Sequence, residues 1–379
     1  MAAPATAAVL LERAIAARPD KASLRLKLAD LEIERYDFAS AAAALEAGLA
    51  LGPDLAGARP RLARCYNALG RHRDALGALD AVDRPEFERA LALVRLGLDA
   101  EAEREFRAVL DLEPSHRPAC RQLGKILRRQ ERIAELLEIC RSLHARGATH
   151  AQLFHVWGAA LALAGRDEEA RALLFDRARV AELALPVPKG FADIAGFNAA
   201  LADELLGNPY RLSDFPVEDE ANRGSSRVHA LFAGRRPELV RALLDSLQAL
   251  VAARPRPRRY AFDPWADARP ERAHLKAWGL IQSGGDYEEW HSHPGGWMSG
   301  VYYVQVPGSV TAEGRGPGCI EFGPPAALAR ARPGFVPIWR HAPREGRLLL
   351  GPSHYSHRTI PTGAAEQRIS FAFDIVPES

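Results

Sequence analysis

From residue 5 to about 176, apolar side chains recur at helical spacing in blocks of a dozen or so residues, separated by Gly, Asp or Pro, and no stretch alternates as a strand does. "LALPVPKGF" (183–191), with two prolines and a glycine, marks a boundary. Helical spacing returns over 191–206, with Asp193 placed to cap its start, and over 237–253. Between these helices, 208–228 reads as a polar surface loop, with Asn222, Arg223 and Gly224 as its candidate site residues. After the basic link "RPRPRR" (254–259) the pattern becomes that of strands, over 274–290, 299–307, 318–325, 346–353 and 368–376. The order predicts an α + β multidomain chain: a helical solenoid over 1–180, a linker over 181–190, and an all-β sandwich or jelly-roll domain with flanking helices over 191–379.

The helical half repeats. "RYDFASA", "LGRHRDA", "LGLDAEA", "RQERIA" and "AGRDEEA" each join two amphipathic helices and end on Ala41, Ala75, Ala102, Ala134 and Ala170, spaced 34, 27, 32 and 36 residues apart. A small residue there lets the second helix approach the first closely. "YNALGRHRDAL" and "WGAALALAGRDEEA" resemble the helix-turn-helix unit of tetratricopeptide repeats, whose period is about 34 residues. A lone hairpin of this kind cannot bury its apolar face, so stacking into a curved solenoid is required, and the resemblance implies a protein or peptide partner on its inner surface. The alternative is a scaffold that only packs on the second half.

Composition narrows the class. Lys+Arg 50 against Asp+Glu 48 leaves the chain nearly neutral, which removes the bulk electrostatic case for nucleic acid. Four scattered cysteines, Cys65, Cys120, Cys140 and Cys319, form no C-x-x-C pair and point to free thiols in a reducing compartment. The N-terminus lacks a basic segment ahead of its apolar residues, and no stretch reaches the roughly 20 apolar residues of a membrane span. A cytoplasmic protein without membrane contact is expected.

The candidate chemistry lies in "EEWHSHPGGWMSGVYYV" (288–304). On an extended segment residues i and i+2 share a face, so the imidazoles of His291 and His293 can converge on one ion. The best third ligand is His357 in "GPSHYSHRTIP", 66 residues beyond His291; His354 is the nearby alternative, and Asp286 and Glu289 are the carboxylate alternatives. Arg368 opens the last strand, "RISFAF", with Ser370 on the same face. Tyr303 shares a face with Ser299 and Val301 and can point into a barrel. Trp290 and Trp297 flank the histidines, as walls of an entrance or as core.

The order H-x-H before a strand, a distal His after a later strand, then Arg-x-Ser resembles the Fe(II)- and 2-oxoglutarate-dependent oxygenases. "KAWGLIQSGGDYEEWHSHPGGWMSGVYYVQVP", "GCIEFGPP", "GRLLLGPSHYSH" and "EQRISFAFDI" are similar to a family of such oxygenases known largely from bacterial sequences, sometimes fused to tetratricopeptide repeats; with "GFADIAGFNAAL" the resemblance spans about residues 186 to 377. It implies a double-stranded β-helix fold, an Fe(II) ion on His291, His293 and His357, 2-oxoglutarate as cosubstrate, dioxygen, and hydroxylation of a substrate. Such an iron keeps three protein ligands on one face and leaves the other positions for keto acid and dioxygen. Arg368 would pair with the distal carboxylate of 2-oxoglutarate, with Ser370 adding a hydrogen bond and Tyr303 near the same group.

One departure matters. Most such enzymes carry Asp or Glu where this chain has His293, so either the iron has three His ligands or His293 stands behind the ligands and another group fills the position. Two other classes stay open: a repeat adaptor whose oxygenase domain has lost its chemistry, and a three-His metalloenzyme that does not use 2-oxoglutarate.

Overall fold

The computed structural model describes residues 4–213, 221–253, 260–310 and 316–378. The basic link 254–259, residues 214–220 of the 208–228 loop and residues 311–315 of the 308–317 loop lie outside the described residues. The chain divides into two compact units, Met1–Gln130 and Glu131–Ser379.

The first unit is helical. Pro4–Ala17 is followed by the pairs Ala22–Glu34 with Phe38–Leu51, Ala58–Ala68 with His72–Leu79, and Phe87–Arg95 with Asp99–Leu112, and then by Arg117–Arg129. Its core is built largely of small side chains, among them Ala29, Ala41, Ala58, Ala63 and Ala75, packed around Leu45, Leu62 and Leu79. Each intra-pair turn places one residue in the left-handed region, and along the whole chain these are Tyr36, Gly70, Gly97, Glu131 and Gly165. They are 34, 27, 34 and 34 residues apart, a stricter period than the alanines predict. The discrepancy lies in the fourth turn, where Ala134 is exposed and Leu136 takes the buried place that Ala41, Ala75, Ala102 and Ala170 hold in the others. A leucine in the place of the small residue hides that turn from a reading that looks for alanine. The 27-residue interval reflects the short helices His72–Leu79 and Phe87–Arg95, of 8 and 9 residues. Seven missing residues are close to two helical turns, so the buried face is kept.

The second unit opens with the helices Ile133–Ala145, Ala151–Leu163 and Asp167–Leu174 and continues as strands. These are β1 (Ala181–Ala184), β2 (Arg211–Leu212), β3 (Asn222–Arg223), β4 (Ser226–Val228), β5 (Ala273–Gln282), β6 (Tyr287–Glu288), β7 (Met298–Gln305), β8 (Ile320–Phe322), β9 (Trp339–His341), β10 (Arg347–Pro352), β11 (His357–Thr359) and β12 (Arg368–Pro377). They form a seven-stranded sheet in the order β1-β10-β7-β12-β5-β4-β2, a three-stranded sheet β11-β8-β9, and the pair β3-β6. Every pairing is antiparallel. Tyr303 and Leu349 of the large sheet meet Ile320 and Phe322 of the small one, with Tyr355 beside them. This is the expected double-stranded β-helix behind a helical region.

The other face of the large sheet is covered by helix Ile194–Leu206, whose first turn is capped by Asp193 accepting from the Gly196 amide at 2.7 Å, as predicted. The Tyr302 hydroxyl donates to Asn198 Oδ1 of that helix at 2.6 Å. The second predicted helix forms over Pro237–Ala253. The stretch expected as a linker contributes β1, which pairs with β10. The last repeat hairpin is bound to the sheets within one unit: Arg332 pairs with Asp167 and donates to the Ala162 carbonyl, and Tyr355 Oη accepts from the Asp176 amide at 2.9 Å. His354 Nε2 donates to the Leu173 carbonyl.

Two outcomes follow from this packing. A Cβ at Gly300 would lie 2.5 Å from the ring of Phe373, its fully buried cross-strand neighbour. Gly300→Ala therefore destabilises the fold by about 1–3 kcal/mol in urea unfolding. Burial pushes the His354 imidazole down to about 3, and the charges of Arg179 and His155 push the same way. In the unfolded chain it titrates near about 6.5, so between these values the unfolded state holds the extra proton and stability falls as pH is lowered, by at most about 1.4 kcal/mol per pH unit for this group. His354→Gln should flatten the dependence of unfolding free energy on pH between about 7 and 4; an unchanged slope would contradict the assignment.

Candidate metal centre

The three predicted histidines converge. One ring nitrogen from each of His291, His293 and His357 lies within 4.8 Å of the other two. The pair lies on the connection between β6 and β7, ahead of the alternating strand as expected. An isolated antiparallel bridge joins His291 to His357, with both amide-to-carbonyl distances 2.9 Å, and the His293 amide donates to the Ser353 carbonyl at 2.9 Å. Backbone hydrogen bonds therefore fix where the rings start.

Their side chains are oriented by the other ring nitrogen. His291 Nδ1 lies 2.7 Å from the Glu289 carbonyl, His357 Nδ1 lies 3.0 Å from the Tyr355 carbonyl, and His293 Nδ1 lies 2.7 Å from Asp374 Oδ1. These oxygens accept hydrogen bonds, so the proton sits on Nδ1 and the Nε2 lone pair of each ring is left for another partner. Burial, reinforced by the charge of His293, pushes His291 down to about 3. Burial and both neighbouring imidazoles hold His357 well below its usual range. Neutral imidazoles with free Nε2 atoms are the form that binds a divalent metal.

The alternatives separate from this cluster. His354 points to Leu173 and the repeat hairpin. Asp286 closes a turn on the Ser283 amide at 2.7 Å, and the Glu289 carboxylate pairs with Arg223 at 3.1 Å. Trp297 is core: it stacks on Trp265 with ring centres 4.8 Å apart, and the two indoles exchange hydrogen bonds with each other's carbonyls. Trp290 lies under Arg358 and against Gly323. The aromatics beside the histidines are Trp278 of β5, stacked at 5.8 Å from His293, and Phe322 of β8, 5.6 Å from His357.

Arg368, Ser370 and Asp374 occupy alternate positions of β12 and so share the face turned to the histidines, while Ile369, Phe371 and Phe373 on the other face are fully buried. Arg368 is only 2% exposed. Its Nε donates to Gln282 Oε1 at 2.9 Å and one terminal nitrogen donates to the Gly318 carbonyl at 2.7 Å. Among the described residues no carboxylate lies within ion-pair distance of it. A buried guanidinium held only by neutral acceptors is costly, and it fits a site that receives an anion. Ser370 stands opposite Tyr303 on β7, both nearly fully buried. Burial pushes the Tyr303 hydroxyl upward, so it is a proton donor at neutral pH.

Behind Arg368, Gln282 Nε2 donates to Ser225 Oγ at 3.0 Å, and Ser225 is in turn clasped by Asn222 through bonds of 2.8 and 3.0 Å. Asn222 is buried and belongs to β3, which corrects the surface-loop reading of that residue. Gln282, Trp278 and Asp374 went unremarked in the sequence. For Asp374 a signal existed, the alternation 368-370-372-374 along one strand.

Donor set and cradle both fit an Fe(II) ion and a dicarboxylic keto acid. Residues 276–374 match the model of a protein family described as "Putative 2OG-Fe(II) oxygenase". No curated protein matches the chain. Among solved structures, the chain is similar to a Pseudomonas putida prolyl-4-hydroxylase at 15% identity, covering 55% of this chain and 99% of that one with a TM-score of 0.35. It is also similar to a Trichoplax adhaerens prolyl hydroxylase bound to a hypoxia inducible factor peptide, at 12% identity, 56% and 91% coverage and a TM-score of 0.37. The tetratricopeptide repeat protein YrrB is similar at 19% identity, 43% and 88% coverage and a TM-score of 0.34. The segment that carries the three histidines thus matches the 2OG-Fe(II) oxygenase family model, in a chain whose preceding helices pair as tetratricopeptide-like repeats.

Proposed function

We propose that the protein is an Fe(II)- and 2-oxoglutarate-dependent dioxygenase that hydroxylates a protein or peptide substrate recruited in part by its repeat domain. The observation that carries the reading is Arg368, a buried cation without a carboxylate partner among the described residues, on the same strand face as the group that orients His293.

His291, His293 and His357 would hold the iron through Nε2. Bound there with its cosubstrate, the iron supplies the dioxygen chemistry in which 2-oxoglutarate is oxidatively decarboxylated to succinate and one oxygen atom enters the substrate. The remaining work falls to side chains. Arg368 would pair with the distal carboxylate of the keto acid, and Gln282, braced by Ser225 and Asn222, holds the guanidinium in place before that anion arrives. Ser370 on the same strand and Tyr303 on the facing strand would offer hydroxyl donors to the same carboxylate. Tyr303, Ile320, Phe322 and Leu349 form a buried apolar cluster between the two sheets, which would keep water away from the keto acid. The repeat helices bring an inner surface of the kind that takes peptides, which supports a macromolecular substrate. Four free, buried cysteines accord with a reducing, cytoplasmic setting.

The all-imidazole ligand set favours one second reading, a three-His metalloenzyme that does not use 2-oxoglutarate. An unneutralised Arg368 counts against it.

Anaerobic addition of Fe(II) and then 2-oxoglutarate to the purified protein should produce a new visible absorption band, and succinate should accumulate once oxygen and substrate are present. A protein that binds the metal but neither binds 2-oxoglutarate nor changes its spectrum belongs to the second reading. Arg368→Gln should weaken 2-oxoglutarate binding by about 100-fold while leaving Fe(II) affinity within about twofold, because it removes one buried charge partner and no metal ligand. His291→Ala or His357→Ala should abolish Fe(II) binding in equilibrium dialysis.

A further inference from the structure

The ligand set of three neutral imidazoles lacks the negative charge that a carboxylate ligand brings to a non-haem iron. The same charge is present one hydrogen bond further out. Asp374 is buried, and its Oδ1 accepts from His293 Nδ1 at 2.7 Å and from the Ser299 hydroxyl at 2.7 Å; Ser299 is itself held by Ser353 Oγ at 2.7 Å. We infer that Asp374 is the positioning residue of the metal centre, supplying through His293 the negative charge that its three-histidine ligand set lacks. The inference rests on His293 being an iron ligand.

A purely structural tether is a poorer account of this carboxylate. The segment carrying His293 is already fixed by backbone bonds, from the His293 amide to the Ser353 carbonyl at 2.9 Å, from the Ser353 amide to the Trp297 carbonyl at 3.2 Å, and from the Trp297 amide to the Ile375 carbonyl at 2.8 Å. Neutral Asn in place of Asp374 could keep an acceptor for Nδ1–H, so burying a full charge there demands an electrostatic reason. A carboxylate on the far nitrogen of a ligating imidazole fixes the tautomer and raises the basicity of Nε2, which strengthens its bond to the metal. The negative charge thus reaches the ion through the ring. A carboxylate in the ligand sphere would occupy the position directly; here a histidine occupies it and the charge sits behind.

The test uses the full-length chain with Co(II) as a spectroscopic probe and Fe(II) for electrochemistry. Asp374→Asn should bind Co(II) about 10- to 100-fold more weakly than the parent. It should also shift the reduction potential of the bound iron upward, since losing a nearby negative charge disfavours the ferric state. The melting temperature of the metal-free variant should stay close to that of the parent. Parental Co(II) affinity together with an unchanged potential would overturn the inference. If Asp374→Asn does not fold, Ser299→Ala decides, because it keeps the carboxylate and removes one of the groups that hold it; Co(II) binding about threefold weaker is expected, and parental affinity overturns the inference. A parent protein that binds neither ion, or a His293→Ala variant with parental Co(II) affinity, sinks the iron-ligand reading itself and this inference with it.

Discussion

Strand β12 is paired along both edges, to β5 and β7, and both of its faces are buried from Arg368 to Ile375 save at Ala372, a constraint that organises everything around the histidines. One face satisfies it with Ile369, Phe371 and Phe373, packed away from solvent at the expected period of two. The other face carries Arg368, Ser370 and Asp374, and each polar group must find a partner. Asp374 finds His293 and Ser299. Arg368 finds only neutral acceptors in Gln282 and Gly318. A strand buried on both faces, apolar on one and polar on the other, marks where stability has been given up for chemistry.

The same logic applies around Arg368. Gln282 faces Arg368 across the β5–β12 register, and Ser370 faces Tyr303 across β12–β7, so this group of polar side chains is assembled from three adjacent strands. The histidines are placed differently, by a single β-bridge and by hydrogen bonds from each Nδ1. Positions on a sheet tolerate little drift, which suits side chains that must keep a fixed relation to one another.

Much of this was legible in the chain. The helix starting after Asp193, the run of strands after residue 260, the order His291, His293, His357, Arg368, and the paired helices of the first half all follow from periodicity, capping and turn chemistry. The fourth repeat turn was misplaced by two residues because Leu136 holds the buried place where a small residue was sought, and an exposed alanine, Ala134, lies two positions before it. The stretch 181–190 read as a linker because its prolines outweigh a four-residue strand that gains its pairing only from β10. Asn222 read as surface because polarity was the only local cue, and its burial comes from bonds to Ser225 behind Gln282.

What the sequence by itself determined is the set of side chains, their order, and which of them share a strand face, because a two-residue period sorts neighbours without any knowledge of the rest of the fold. It placed Asp374 on the face of Arg368 and Ser370. Only the tertiary structure decided that this carboxylate stands behind His293, that His354 turns away to Leu173, and that no carboxylate among the described residues answers Arg368. The physical reason is that each of these depends on contacts between residues tens to hundreds of positions apart, brought together by strand pairing and packing that no local pattern encodes.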